Sequence, residues 1–309
     1  MEVRDMSSEW ATFSKELAET TAKAGEHAVA VHTESRGSSS GVIWRPGIIV
    51  TAEHALQRDE DIQVTLPDGK LASAKLVGRD SSSDVAVLKC EQASVAVPSF
   101  SDTAALHPGN VTLVVGRTRA SGPIAALAFV SMVANERRLW GGLSLSPYVR
   151  LDVALQHTGV GGAVVDAEGR VAGIATPKFA PAGALALPVA TVNRVADALL
   201  AQGRIPRGYL GVGLQPVRLP ENLRETLQRR EKTAAIVLEV EPGGPAHNAG
   251  VVIGDILLSL NTKPVARLED VQAHLHGENI GKSVAARFLR GGAPRDVNIA
   301  IAERPNGSA

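Results

Sequence analysis

Between Ala28 and Pro188 the chain is a succession of short β-rich runs, and this feature constrains its fold more than any other. The runs include "AVAVHTE", "GVIWRPGIIVTA", "IQVTLPDG", "LASAKLVG", "DVAVLKC", "VTLVVG", "IAALAFVSMV", "YVRLDVAL", "GAVVDAEGRVAGIA" and "ALALPV". Turn sequences such as Pro67-Asp68-Gly69 and Glu168-Gly169 separate them. Many short strands closed by such turns fit barrels or a sandwich rather than a parallel sheet. The expected fold class is therefore mainly β.

Two helical patterns flank these strands. Ahead of them, Trp10, Phe13, Leu17 and Thr21 recur at three-to-four-residue spacing between Ser8 and Ala24, behind the possible caps Ser7 and Ser8. Trp10 and Phe13 read as packed on the body or at a subunit contact. After Pro188, Val189, Val192, Val195, Ala196, Leu199 and Leu200 form one stripe, with Gly203 as a stop. "GRIPRG" then reads as a linker to a smaller unit with strands "YLGVGLQPV", "AAIVLEVEPG" and "GDILLSLN" and the hairpin "SVAARFLRGGAPRDVNIAIAE". Helices are expected after Pro220 and at "LEDVQAHLHG". The expected division is a helical segment 1–27, a first domain 28–202, a linker 203–207, a second domain 208–304 and a tail 305–309.

With 309 residues the chain is long enough for two cores, and 32 basic residues balance 32 acidic ones. No global field points to nucleic acid or an anionic membrane. The single cysteine, Cys90, excludes an intramolecular disulfide and a cysteine-built metal cluster, and it reads as a structural thiol. His247, His274 and His276 have no carboxylate or cysteine at ligand spacing, so neither a metal nor a cofactor is expected. No segment approaches a membrane span, and the acidic N-terminus lacks a leader's basic and apolar regions. The expectation is a cytoplasmic protein, with the periplasm open if a leader was trimmed.

Three stretches carry the candidate chemistry. "IVTAEHAL" ends a strand with His54, "SSSDVAVL" places Asp84 before the next strand, and "GVGG" spans residues 159–162. Serine proteolysis needs a histidine to take the nucleophile's proton and a buried carboxylate to fix its tautomer. Each fragment alone also has a structural reading, a satisfied histidine or a turn-forming aspartate.

Together, "VTAEHAL", "LPDGKLASAKLVGRDSSSDVAVLK", "VDAEGRVAGIAT", "ALALPVATVNRVADALLAQG" and "RGYLGVGLQPV" resemble HtrA (DegP-like) trypsin-type proteases with one C-terminal PDZ domain. The resemblance implies a chymotrypsin/trypsin-like double β-barrel of two six-stranded barrels followed by a small α/β PDZ domain. It implies His54 and Asp84 on the first barrel, the nucleophile loop on the second, and assembly as trimers. It also implies a regulatory sensor loop within residues 118–147. Counting from Asp152 against the family's pattern puts Val160 at the nucleophile position. Thr158 stands where an oxyanion-binding glycine is usual, Gly159 replaces the residue before the serine, and Ala163 replaces a proline after Gly161 and Gly162. Valine has no hydroxyl, so no acyl-enzyme can form there. "YLGV" resembles the PDZ carboxylate-binding loop, assigning that role to Tyr209, Leu210, Gly211 and Val212. Val271 and Leu275, four residues apart, read either as groove lining or as core.

Three functions follow from these readings. The first is a pseudoprotease that binds unfolded polypeptides or protein C-termini as a chaperone-like scaffold, or as a regulatory subunit, in a homotrimer or a hetero-oligomer with an active homologue. The second is a serine-type endopeptidase with a displaced nucleophile. The third is a structural oligomer without a peptide ligand.

Overall fold

In the computed structural model, residues 6–32, 37–93, 97–138, 144–180, 182–275 and 277–304 are described. The chain divides after Ile205 into two compact units. The first begins with α1 (Met6–Gly25) and continues into β1 (Ala28–His32), β2 (Ser38–Arg45), β3 (Ile48–Ala52), β4 (Ile62–Thr65), β5 (Leu71–Asp80) and β6 (Val85–Lys89). These six strands close into a barrel in the order β1-β2-β3-β6-β5-β4. A second barrel follows, built from β7 (Val111–Thr118) and β8 (Gly122–Ala134), then β11 (Tyr148–Asp152), β12 (Ala163–Val165), β13 (Val171–Thr176) and β14 (Ala184–Pro188). Its order is β11-β14-β13-β12-β7-β8, and the short pair β9 (Arg137–Arg138) and β10 (Ser144–Leu145) lies outside it. The mainly β, double-barrel expectation is met.

Alternation along the strands explains where the cores lie. On β2, Ile43 points into the first barrel with Val29, Ile49 and Leu88. Val42 and Trp44 point the other way, into a core shared with Val115, Ile174, Leu185 and Leu187 of the second barrel. The barrels are therefore held by apolar burial along their junction, which fixes the cleft between them. Helix α2 (Val189–Gln202) seals this core with Val192, Val195, Ala196 and Leu199, and its Asn193 accepts the Trp44 indole N–H at 2.7 Å. Leu200, read as part of the buried stripe, is instead exposed, while Thr191 is buried. Gly203 ends the helix in the left-handed region at φ 71°, its N–H bonded to the Leu199 carbonyl at 2.7 Å.

Within the stretch 118–147, the run "IAALAFVSMV" read as β-rich lies in β8, whose thirteen residues close the second barrel against β7 and β11. Residues 139–143 of that stretch lie outside the described residues. On α1, Trp10 is 66% exposed and meets Phe13 edge-to-face at 6.0 Å, so packing on the body does not account for it.

The second unit contains β15 (Gly208–Tyr209), β16 (Val212–Arg218), α3 (Glu221–Thr226), β17 (Thr233–Val240), α4 (Pro245–Asn248), β18 (Ile256–Leu260) and β19 (Lys263–Pro264). It ends with α5 (Leu268–Gln272), β20 (Ser283–Arg290), β21 (Ala293–Ala300) and β22 (Ala302–Glu303). The sheet order is β16-β17-β18-β20-β21, with β19 on β18 and a separate β15-β22 pair. Strand β16 is an edge of this sheet. The expected single strand "YLGVGLQPV" breaks at Gly211, whose φ of 72° no continuous strand accommodates. Helix α4, one turn started by Pro245, is too short to show a periodic pattern in the sequence.

Candidate active site and peptide groove

His54 lies in a single 3₁₀ turn, Glu53–Ala55, at the end of β3, and Asp84 immediately precedes β6 with φ 58°. β3 and β6 are hydrogen-bonded neighbours, so their adjacent ends bring together residues thirty positions apart. Asp84 is fully buried and its carboxylate accepts from the His54 backbone N–H at 2.9 Å and from His54 Nδ1 at 2.8 Å. A carboxylate only accepts, so Nδ1 carries the hydrogen that faces Asp84 and the ring is held in a fixed orientation. Thr176, at the end of β13, donates its hydroxyl to Asp84 Oδ2, the same oxygen that lies 2.8 Å from His54 Nδ1. The Lys178 ammonium lies 3.7 Å from Asp84 Oδ1, 3.1 Å from Glu53 Oε2 and 2.9 Å from the Ser81 carbonyl. Neither Thr176 nor Lys178 is signalled locally in the sequence, because their partners lie 92 to 125 residues away.

The loop before β12 is tightly closed on itself. Gly159 N–H donates to the Gln156 carbonyl at 2.9 Å, Val160 N–H to His157 at 3.2 Å, and Gly162 N–H to Gly159 at 3.2 Å. Residues His157–Gly159 thus form a 3₁₀ turn in which Thr158 has an ordinary negative φ. Val160 is 3% exposed and packs against Ala52, Ala55 and Leu155, beneath the His54 turn. Ser40 of β2 ties the loop down: its N–H donates to the Val160 carbonyl at 2.8 Å and its hydroxyl to the Thr158 carbonyl at 2.5 Å. Gly161, at φ 79°, sits so close to β2 that a Cβ there would lie 2.3 Å from the Ser40 carbonyl oxygen. The structure thus joins His54 to Asp84 and packs Val160 against Ala52 and Ala55, which flank the His54 turn.

In the second unit the Tyr209–Val212 segment turns around Gly211. The Leu210 carbonyl accepts from Ala246 N–H at 2.8 Å and the Gly211 carbonyl from Glu241 N–H at 2.9 Å. Among the described residues, no backbone carbonyl accepts from the N–H groups of Leu210 or Gly211. The turn thus uses its carbonyls within the fold and leaves these two amides without a backbone acceptor. The Tyr209 phenol is pushed above its ordinary value by burial, then by the neighbouring Glu241 charge, to which it also hydrogen-bonds. Leu210 and Val271 are core residues, whereas Val212, Leu214 and Leu275 are only partly buried against that core. His274 Nδ1 lies 3.0 Å from the Asp270 carbonyl. No group of three metal-ligating side chains comes together among the described residues, and His276 lies outside them.

Comparison with known proteins places this geometry. A family model described as trypsin-like peptidase domain matches residues 39–174, and one described as PDZ domain matches residues 208–301. A protein of Rhizobium meliloti (strain 1021) named "Probable periplasmic serine endoprotease DegP-like" is 31% identical over 278 residues, covering 88% of this chain and 54% of the relative. A Haemophilus influenzae protein named "Probable periplasmic serine protease do/HhoA-like" is 29% identical, covering 86% of this chain and 58% of the relative. The chain spans little more than half the length of these relatives. Among solved structures, the serine endoprotease from Yersinia pestis is 27% identical with a TM-score of 0.72, covering 93% of this chain and 98% of that one. The HtrA-type protease AlgW with tripeptide is 25% identical with a TM-score of 0.72, covering 93% and 97%.

The expected cytoplasmic location is contradicted, because these relatives are named as periplasmic. It rested on the missing leader pattern, and a leader is a removable address that the folded body does not need. No described helix is long and apolar enough to cross a membrane. Two six-stranded barrels with a histidine–aspartate pair, followed by a sheet that the PDZ family model matches, make this chain an HtrA/DegP-like trypsin-type peptidase domain joined to a PDZ domain.

Proposed function

We propose that this chain is a periplasmic HtrA-like pseudoprotease, which holds polypeptides through its PDZ groove and its protease cleft without cleaving them. It acts as a chaperone-like scaffold or as a regulatory subunit, in a homotrimer or in a mixed oligomer with an active homologue. The observation that carries this reading is Val160 at the nucleophile position with its N–H bonded to the His157 carbonyl. Loss of a nucleophile costs on the order of a million-fold in turnover, and what survives comes from binding and oxyanion donors. Here the Val160 donor is spent inside the loop, so that remainder is reduced as well.

The His54–Asp84–Thr176 arrangement favours a second reading, an endopeptidase using a displaced nucleophile or a His54-activated water. It also has a plain structural explanation: removing either partner would strand a buried carboxylate or an imidazole. Incubation with reduced casein separates the two readings. The pseudoprotease binds casein and leaves it intact at all times. Cleavage by the unmodified chain that is lost in His54→Ala would establish the enzyme instead.

A further inference from the structure

The PDZ groove carries a charge that its apolar lining does not reveal. A chain end added along β16 runs about 4.8 Å from it and alternates its side chains between the two faces of the sheet. The last and third-last side chains then share the face of Val212 and Leu214, which pack on the core. The penultimate and fourth-last side chains share the face of Gly213, the residue between them.

On that second face Gly213 is paired across the ladder with Glu239. Because Gly213 has no side chain, Glu239 leans over it: an ideal Cβ on Gly213 would lie 3.0 Å from Glu239 Cβ and 3.4 Å from Glu239 Oε2. The carboxylate is thereby carried across the edge strand toward an incoming neighbour, instead of standing one strand further back. Glu241, two residues along, is exposed and reaches the Tyr209 phenol beside the carboxylate-binding turn. Two acidic groups thus line the face that receives the penultimate and fourth-last residues.

We infer that the groove selects polypeptide C-termini ending in an apolar residue with lysine or arginine at the penultimate or fourth-last position, which Glu239 and Glu241 receive. A cation there offsets the repulsion between these two carboxylates and the ligand's terminal carboxylate, and an acidic residue there adds to it. This inference rests on the peptide-binding reading of the PDZ domain.

The test titrates the full chain with fluorescein-labelled decapeptides that share an apolar last residue and carry Lys, Gln or Glu at both outward positions. A Gln peptide with an amidated end serves as the control for end recognition. The expected order is Lys, then Gln, then Glu, with about fivefold between the extremes at low salt and a smaller ratio at high salt. Glu239→Gln should shrink the Lys-over-Glu ratio to within about twofold. Equal affinity for the three peptides, or a ratio that survives in Glu239→Gln, overturns the charge selection while leaving peptide binding in place. Absence of binding by every peptide overturns the PDZ reading itself, and this inference with it.

Discussion

Two glycine-bearing turns in this chain have the form of an anion cradle, and they spend their backbone groups in opposite ways. Around Val160 the amides of Gly159, Val160 and Gly162 all donate within the loop, and Ser40 takes hold of the Thr158 and Val160 carbonyls. Around Gly211 the carbonyls of Leu210 and Gly211 are the groups consumed, and among the described residues no backbone carbonyl accepts from their amides. The first turn consumes most of its amides internally, that of Val160 among them. The second leaves the Leu210 and Gly211 amides without a backbone acceptor. A glycine-rich sequence does not make an anion site; the direction in which its peptide groups are spent does.

The largest expected difference between the two turns is their tolerance of a methyl group. Gly161→Ala drives a Cβ into the Ser40 carbonyl of a buried strand in addition to the strain at φ 79°. It should destabilise the first unit by about 3 kcal/mol or more, read from the shift in a urea midpoint. Ser40→Ala comes next. It removes the hydroxyl that donates to Thr158 and accepts the buried Arg117 N–H at 2.9 Å, for a loss of about 2 kcal/mol. If that variant is as stable as the unmodified chain, Ser40 does not hold the loop shut.

Gly211→Ala should cost only about 1 kcal/mol, because the nearest atom to its Cβ is a proline methylene 3.3 Å away and the conformational strain dominates. A loss equal to that of Gly161→Ala would erase the contrast between a clamped turn and an open one. The smallest expected effect is a pH dependence confined to the PDZ domain. Burial alone would raise the Asp255 carboxyl, but the Arg290 hydrogen bonds, the Val252 N–H and the guanidinium charge outweigh it and hold it below the usual carboxylate range. A folded value below the unfolded one contributes stability that is full above about pH 4 and is lost as pH falls through the folded value. Hydrogen exchange at β18 should therefore speed up below about pH 4, and Asp255→Asn should flatten that dependence.

The mainly β character of the first unit was legible in strand alternation and turn residues, whereas the double barrel and the PDZ domain were legible only through the motifs that resemble the HtrA family. Thr176, Lys178 and Ser40 were not, since each acts across long separations that only barrel closure brings together. The reach of Glu239 was equally hidden. It depends on a glycine facing it across a ladder whose register shifts at Gly213/Leu214. The location went wrong for another reason: a missing leader pattern is no property of the folded chain.

If the loop around Val160 is closed on itself, a hydroxyl restored there gains no chemistry. The intact mass of folded Val160→Ser after exposure to a fluorophosphonate, which labels only a serine activated by its histidine and oxyanion donors, tests this. No adduct is expected on Val160→Ser, because residue 160 still donates its N–H to the His157 carbonyl. A stoichiometric adduct that disappears in Val160→Ser/His54→Ala would contradict it, showing a working site from which one atom had been removed.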